Sequence, residues 1–326
     1  MKAPRFWHDA PGLRSALLAP LAWLYARATA RRLAGGTGYR AAVPVVCIGN
    51  INAGGTGKTP MVIALAERLA GRCRVVVVSK GYGGRLEGPV EVDPARHRAE
   101  DVGDEPLLLA AFASVVVARS RIAGARLAEE IGAGLILLDD GHQDPALARD
   151  ATILTVGGVA RFGNGRVIPA GPLREPVATG LARADALVVT SGGADVDAFA
   201  RDIAARGDLP VVTGRLEPLE TGMRWEGLRV LAFAGIGHPE KFFATLRGMG
   251  AEVVRSVPLG DHQPLTETLM QRLVAEAKAR HLQLVCTEKD AVRLPEAMRG
   301  QVLALPVRLR LDDWGPVDAI LERVLT

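Results

Sequence analysis

Residues 52–59, Asn-Ala-Gly-Gly-Thr-Gly-Lys-Thr, combine three glycines with a lysine and two threonine hydroxyls in an order that suits a phosphate cradle. Gly54, Gly55 and Gly57 let backbone N–H groups turn inward toward a phosphate, and a helix starting near Thr59 adds its positive end. In that arrangement Lys58 reaches the outer phosphates of a nucleoside triphosphate and the Thr59 hydroxyl ligates Mg²⁺. Asn52 stands where a first glycine is usual, a mild change because Asn tolerates left-handed backbone. Asn52, Ala53 and Thr56 complete the expected cofactor-binding loop.

Further acidic and basic residues suit phosphoryl transfer. Asp139 and Asp140 close the aliphatic run 135–138, and neighbouring aspartates repel unless a cation neutralises them. Gly-Asp-Glu-Pro, residues 103–106, offers Asp104 and Glu105 either as helix caps or as carboxylates beside the triphosphate. Residues 161–176 form a long Gly- and Pro-rich segment with Arg161, Arg166, Arg174 and Glu175, a composition suited to an anionic ligand. His262 lies in a loop of the second half of the chain, where sequence spacing cannot bring it near Asp104.

These residues need a scaffold. Strand-like runs at 43–48, 74–79, 114–118, 135–138, 152–156 and 187–190 alternate with helical stretches near 60–70, 121–131 and 194–206. Continuous aliphatic strands separated by helices predict a doubly wound, mostly parallel α/β sheet carrying the phosphate loop. The pattern breaks near 210–227, read as a linker. It then resumes with strands at 229–234, 252–257, 282–287 and 302–308, helices at 239–248 and 266–280, and a closing helix. The expected organisation is a domain over 1–209, the linker, and a smaller α/β domain over 228–326, with the binding cleft between them.

Composition narrows the function classes. A hydrophobic fraction of 48% and a charged fraction of 23% fit a folded globular chain. Cys47, Cys73 and Cys286 are far apart without a CxxC pair, which points to free thiols in a reducing compartment. The net charge of +4 is uneven: residues 1–40 carry seven basic residues against one acidic, so the rest of the chain is slightly acidic. A nucleic-acid partner is not expected, and no obligate protein partner is indicated. The basic end contains an apolar stretch at 16–26 that is too short to span a bilayer, flanked by Arg14, Arg27, Arg31 and Arg32 with Trp23 and Tyr25 inside it. A helix over about 13–33 lying in a membrane interface fits this pattern, and packing on its own domain is the plainer alternative.

Two function classes share such a loop. A membrane-associated switch ATPase of the partitioning type has a signature lysine before the glycine pair, where Ala53 stands here. A kinase needs instead an acceptor pocket and a general base.

Across most of its length the chain resembles the tetraacyldisaccharide 4'-kinases, which phosphorylate the lipid A disaccharide precursor. The resemblance runs through GNINAGGTGKTP, SKGYGG, GDEP, LLDDGHQ, FGNGRVIPAGPLREP, AGIGHPEKFF, DHQ and TEKDAVRL, in that order. It implies an ATP- and Mg²⁺-dependent transferase that passes the γ-phosphoryl group to the 4'-hydroxyl of a tetraacyldisaccharide 1-phosphate, forming lipid IVA, peripherally or monotopically at the cytoplasmic side of the inner membrane. By matching positions it implies Asp104 as catalytic base with His262 as its partner beside Lys58. It also implies Thr59, Glu105, Asp139 and Asp140 as the magnesium set, and Tyr82, Arg121, Gln143, Arg174 and Glu175 as residues of the substrate cleft. Lys80, His142, Asp144, His238 and Leu265 depart from the family's usual residues.

Overall fold

The computed structural model describes residues 4–36, 38–191 and 193–326. Its larger sheet contains β1 (Val45–Gly49), β2 (Val75–Ser79), β3 (Val90–Glu91), β4 (Ser114–Val117), β5 (Leu135–Asp139), β6 (Ala151–Gly157), β7 (Ala186–Thr190) and β8 (Val211–Pro218). The smaller sheet contains β9 (Arg229–Ala234), β10 (Glu252–Pro258), β11 (Gln283–Thr287) and β12 (Val302–Leu305), and β13 (Val307–Leu311) returns to the first. The nine-stranded sheet runs β13-β8-β7-β6-β1-β5-β2-β4-β3, and only its two edge strands are antiparallel. The four-stranded sheet, β10-β9-β11-β12, is all parallel.

Burial on both faces explains why β1 (VVCIG), β2 (VVVVS) and β5 (LILLD) read as unbroken aliphatic runs. Successive side chains alternate between faces: Val46 and Ile48 pack with Met61 and Leu65, and Val45 and Cys47 pack with Ala125 and Ala128. The first of these cores also takes Val317, Ile320 and Leu321 from the C-terminal helix Gly315–Leu325. Cys47 and Cys286 are buried free thiols, whereas Cys73 is half-exposed.

Three boundaries differ from the sequence reading. Val211–Pro218, expected within a linker, is a strand paired with β7 and β13, because its residues continue the hydrogen-bonding edge of the large sheet. The single strand expected at 302–308 divides at Pro306 between the two sheets; proline has no N–H to continue a ladder, and its carbonyl accepts from Leu219 N (3.0 Å). The N-terminal helix is two helices, Leu13–Leu17 and Ala19–Ala34. β1 lies between β5 and β6, so the strand order reverses at its carboxyl end, where such sheets form a ligand crevice.

Candidate functional site

β1 leads into the glycine loop, which bends because Gly54 and Gly57 take φ of 127° and 92°. Buried side chains hold this bend from below. Asn50 Nδ2 donates to Thr56 Oγ1 (2.9 Å), Thr56 Oγ1 meets Thr155 Oγ1 (3.0 Å), and Thr190 Oγ1 donates to the Thr56 carbonyl (3.2 Å). A Cβ on Gly57 would sit 2.7 Å from Thr190 Cγ2, so that position requires glycine. Cβ atoms on Gly54 and Gly55 would meet nothing within 4 Å, so the space beside these two glycines is open. The helix Lys58–Leu69 starts directly after it, with Lys58 and Thr59 in the first turn. The first two loop residues face elsewhere: Ala53 N donates to the Pro172 carbonyl (2.7 Å) and Asn52 Nδ2 to that of Arg161 (2.9 Å). Those polar groups, of two residues expected in the cofactor-binding loop, tie the loop to residues 161–176.

Beside the loop, β5 ends in Asp139, and Asp140 follows at φ 52°. Asp139 Oδ2 accepts from Ser79 Oγ (3.0 Å). Burial, together with the charges of Glu105 and Asp140, pushes the Asp139 carboxyl up to about 6. Asp140 differs. Burial opposes its charge, but Lys58 Nζ at 3.7 Å and Arg174 Nη1 at 2.9 Å outweigh burial and hold its carboxyl below the usual range.

Arg174 also donates to Gln143 Oε1 (3.2 Å), and Gln143 Nε2 donates to Glu175 Oε1 (2.9 Å) and the Asn50 carbonyl (2.8 Å). Glu175 is 2% exposed and takes a salt bridge from Arg183. Arg121, also 2% exposed, donates to the carbonyls of Val78 (3.0 Å) and Asp140 (3.1 Å) and bonds that of Asp139. Arg121 and Glu175, expected on the cleft wall, are buried beneath the strand ends in this structure. Tyr82 is open to solvent at 77% and meets the His262 ring edge-on at 5.9 Å.

Across the gap between the sheets, the chain joins what sequence spacing left apart. Gly103, at φ 92°, caps the helix Asp104–Leu109, so Asp104 is its first residue and not its cap. The Asp104 side chain is left facing the second sheet. His262, in the loop after β10, donates from Nδ1 to Asp104 Oδ2 (2.9 Å), since a carboxylate only accepts. Lys289 Nζ lies 3.1 Å from Glu105 Oε1 and 3.3 Å from His262 Nε2. Arg293 Nε lies 3.8 Å from Asp104 and is itself anchored to Asp290. Burial would raise the Asp104 carboxyl, but the His262 hydrogen bond and the charges of Lys289 and Arg293 bring it below the usual carboxylate value. The same hydrogen bond raises His262.

Several of these residues drew no assignment from the sequence. Lys289 and Arg293 lie in TEKDAVRL, one of the motifs that carried the resemblance, Lys289 on the short helix Glu288–Ala291 and Arg293 in the turn after it. Ser79, Asn50 and Arg183 carried no usable signal. The buried His142 is pushed down to about 3 by burial and by Arg183 and Arg149, so it is a neutral structural group bonded to the Gly180 carbonyl (3.1 Å).

Among the described residues no group of three or more His, Cys, Asp or Glu side chains converges as a metal cage. Mg²⁺ at a triphosphate asks for less, one or two carboxylates plus phosphate oxygens and water. The donor set here fits that demand: Asp139 is destabilised as an anion by Glu105 and Asp140, a repulsion that a cation relieves.

The family model described as LpxK, tetraacyldisaccharide-1-P 4'-kinase, matches residues 14–326. A tetraacyldisaccharide 4'-kinase of Dinoroseobacter shibae is 60% identical over 99% of this chain and 97% of its own. One of Jannaschia sp. is 55% identical over 100% and 99%. The solved structure of LpxK from Aquifex aeolicus in complex with ATP superposes with a TM-score of 0.78 at 26% identity, covering 96% of this chain and 100% of that one. The chain therefore belongs to the tetraacyldisaccharide-1-P 4'-kinase family.

Proposed function

We propose that this chain transfers the γ-phosphoryl group of ATP to the 4'-hydroxyl of a tetraacyldisaccharide 1-phosphate, the lipid A precursor, forming lipid IVA. The observation that carries the mechanism is the 2.9 Å contact of His262 Nδ1 with Asp104 Oδ2, made across the two sheets beside the glycine loop. Family membership disfavours the rival reading, a partitioning-type switch ATPase, which would hydrolyse ATP without a lipid acceptor.

Phosphoryl transfer asks the protein for positioning and charge stabilisation more than for covalent chemistry. Backbone amides from Gly54 to Lys58, with the Lys58 ammonium, hold the triphosphate. Asp104 accepts the proton of the sugar hydroxyl, and His262 fixes the orientation of that carboxylate. Thr59, Glu105, Asp139 and Asp140 are the groups that would hold Mg²⁺, which when bound would neutralise negative charge on the phosphates. Tyr82, Gln143 and Arg174 face the acceptor, while Arg121 and Glu175 act through the elements that they fix.

The β9–β12 sheet with its helices forms a smaller lobe, joined to the larger one through residues 219–228 and at Pro306. Its approach assembles the Asp104–His262 pair and keeps water from the phosphoryl group. A substrate with several acyl chains stays in the bilayer, so the enzyme docks at the cytoplasmic face of the inner membrane. Among the described residues no helix is long and apolar enough to cross a membrane. The two N-terminal helices instead expose Leu13, Leu17, Leu21, Trp23 and Leu24, beside Arg14, Arg27, Arg31 and Arg32. Thin-layer chromatography after incubation with γ-labelled ATP and the disaccharide 1-phosphate tests the proposal. Labelled lipid is expected, and label recovered only as free phosphate would refute it.

A further inference from the structure

Lys289 stands where nothing in the mechanism above uses it. It projects from the short helix Glu288–Ala291 of the smaller lobe into the cleft, with its side chain 20% exposed. Its ammonium contacts three groups of the reaction centre: Glu105 Oε1 at 3.1 Å, His262 Nε2 at 3.3 Å and Asp104 Oδ2 at 3.9 Å. None of these is a closed, bidentate ion pair, and the side chain has four rotatable bonds. Lys58 approaches the triphosphate from the larger lobe, 3.7 Å from Asp140. Lys289 is placed to approach the same centre from the opposite side.

We propose that Lys289 is a catalytic residue of this transfer, a second cation that donates hydrogen bonds to the equatorial oxygens of the phosphoryl group in flight. The inference rests on the phosphoryl transfer proposed above. A hydroxyl bonded to Asp104 has the phosphorus just beyond its oxygen, so an ammonium 3.9 Å from Asp104 reaches that group by rotating its stem. In the step, the bond between the γ-phosphorus and the bridging oxygen breaks, and ADP leaves with that electron pair. A bond from the 4'-oxygen to phosphorus forms, and the hydroxyl proton passes to Asp104. Lys289 keeps all its protons. Its charge counts most while negative charge is spread over the equatorial oxygens. Between turnovers Glu105 holds it in place. Its hydrogen bond to Nε2 also keeps the imidazole proton on Nδ1, where His262 donates to Asp104.

The test compares wild type with Lys289→Met and Lys289→Arg, with folding checked by thermal melting. The readouts are kcat and KM for label transfer, and equilibrium affinity for ADP alone and for ADP with aluminium fluoride and Mg²⁺, which mimics the planar phosphoryl group. For Lys289→Met the expectation is a kcat lower by about 10²–10³ with little change in KM. Its affinity for ADP–aluminium fluoride should fall at least tenfold while that for ADP holds. Lys289→Arg, which keeps the charge, should retain most of the affinity for the mimic. Unchanged affinity for the mimic in Lys289→Met, or equal losses for ADP and the mimic in both variants, would assign Lys289 to lobe packing and overturn the inference. A failure of the underlying reading shows differently, as wild-type protein that labels no lipid.

Discussion

Replacing Asp139 by Asn should stabilise the nucleotide-free protein while impairing its use of Mg²⁺–ATP. Asp139 is 4% exposed, and burial with the Glu105 and Asp140 charges lifts its carboxyl from 3.8 to about 6. A carboxyl raised in the folded state binds its proton more tightly there than in the unfolded chain. Its ionised form therefore opposes folding above pH 6, the effect fades as pH falls from 6 toward 3.8, and it vanishes below. At about 1.4 kcal/mol per pH unit the penalty near pH 7.5 is about 3 kcal/mol, and about half of it remains at pH 5. Asn keeps an oxygen for the Ser79 hydroxyl, and the Arg121 contact at this residue is with the backbone carbonyl, so both survive. Thermal unfolding with chelator and without nucleotide should show Asp139→Asn melting roughly 4–6 °C higher at pH 7.5, an advantage that shrinks at pH 5. A variant that melts lower at pH 7.5, or whose advantage grows on acidification, would refute the reasoning.

The other expectations follow from the same contacts. Arg121→Met strips the carbonyls of Val78, Asp139 and Asp140 of their donor and should cost about 3–5 kcal/mol in urea unfolding, far more than removal of an exposed arginine. Lys58→Met should weaken ATP binding at least tenfold by calorimetry with little change in melting temperature, since Lys58 meets Asp140 only at 3.7 Å. Leu17→Glu with Leu24→Glu, at positions 72% and 55% exposed, should lower recovery with anionic vesicles in flotation and leave the fold intact. Undiminished recovery would place those leucines in a role unconnected with lipid.

The sequence displayed the larger fold clearly where physics acts locally. Buried parallel strands such as β1, β2 and β5 need aliphatic residues on both faces, and the glycine loop needs its glycines at fixed offsets, so both were legible. β8 was not, because an edge-region strand with the burial of Val211–Pro218 mixes exposed and buried residues and reads as turn-rich. The division at Pro306 depended on which sheet offered partners, a tertiary matter. In the site, Asp104 was readable as a carboxylate near the triphosphate, but its pairing with His262 came only through the family resemblance; their 158-residue separation is closed by packing between sheets. Arg121 and Glu175 were named for the cleft through the family resemblance, but their burial beneath the strand ends is invisible without coordinates.

The central claim is that Asp104 and His262 act as one unit across the lobes. A double-mutant cycle on kcat for label transfer, using Asp104→Asn, His262→Ala and the double variant, tests it directly. Residues that act as a unit are non-additive, so the double variant should be no slower than the slower single, with ATP affinity unchanged throughout. Effects that multiply, or an Asp104→Asn enzyme with wild-type turnover, would contradict the account.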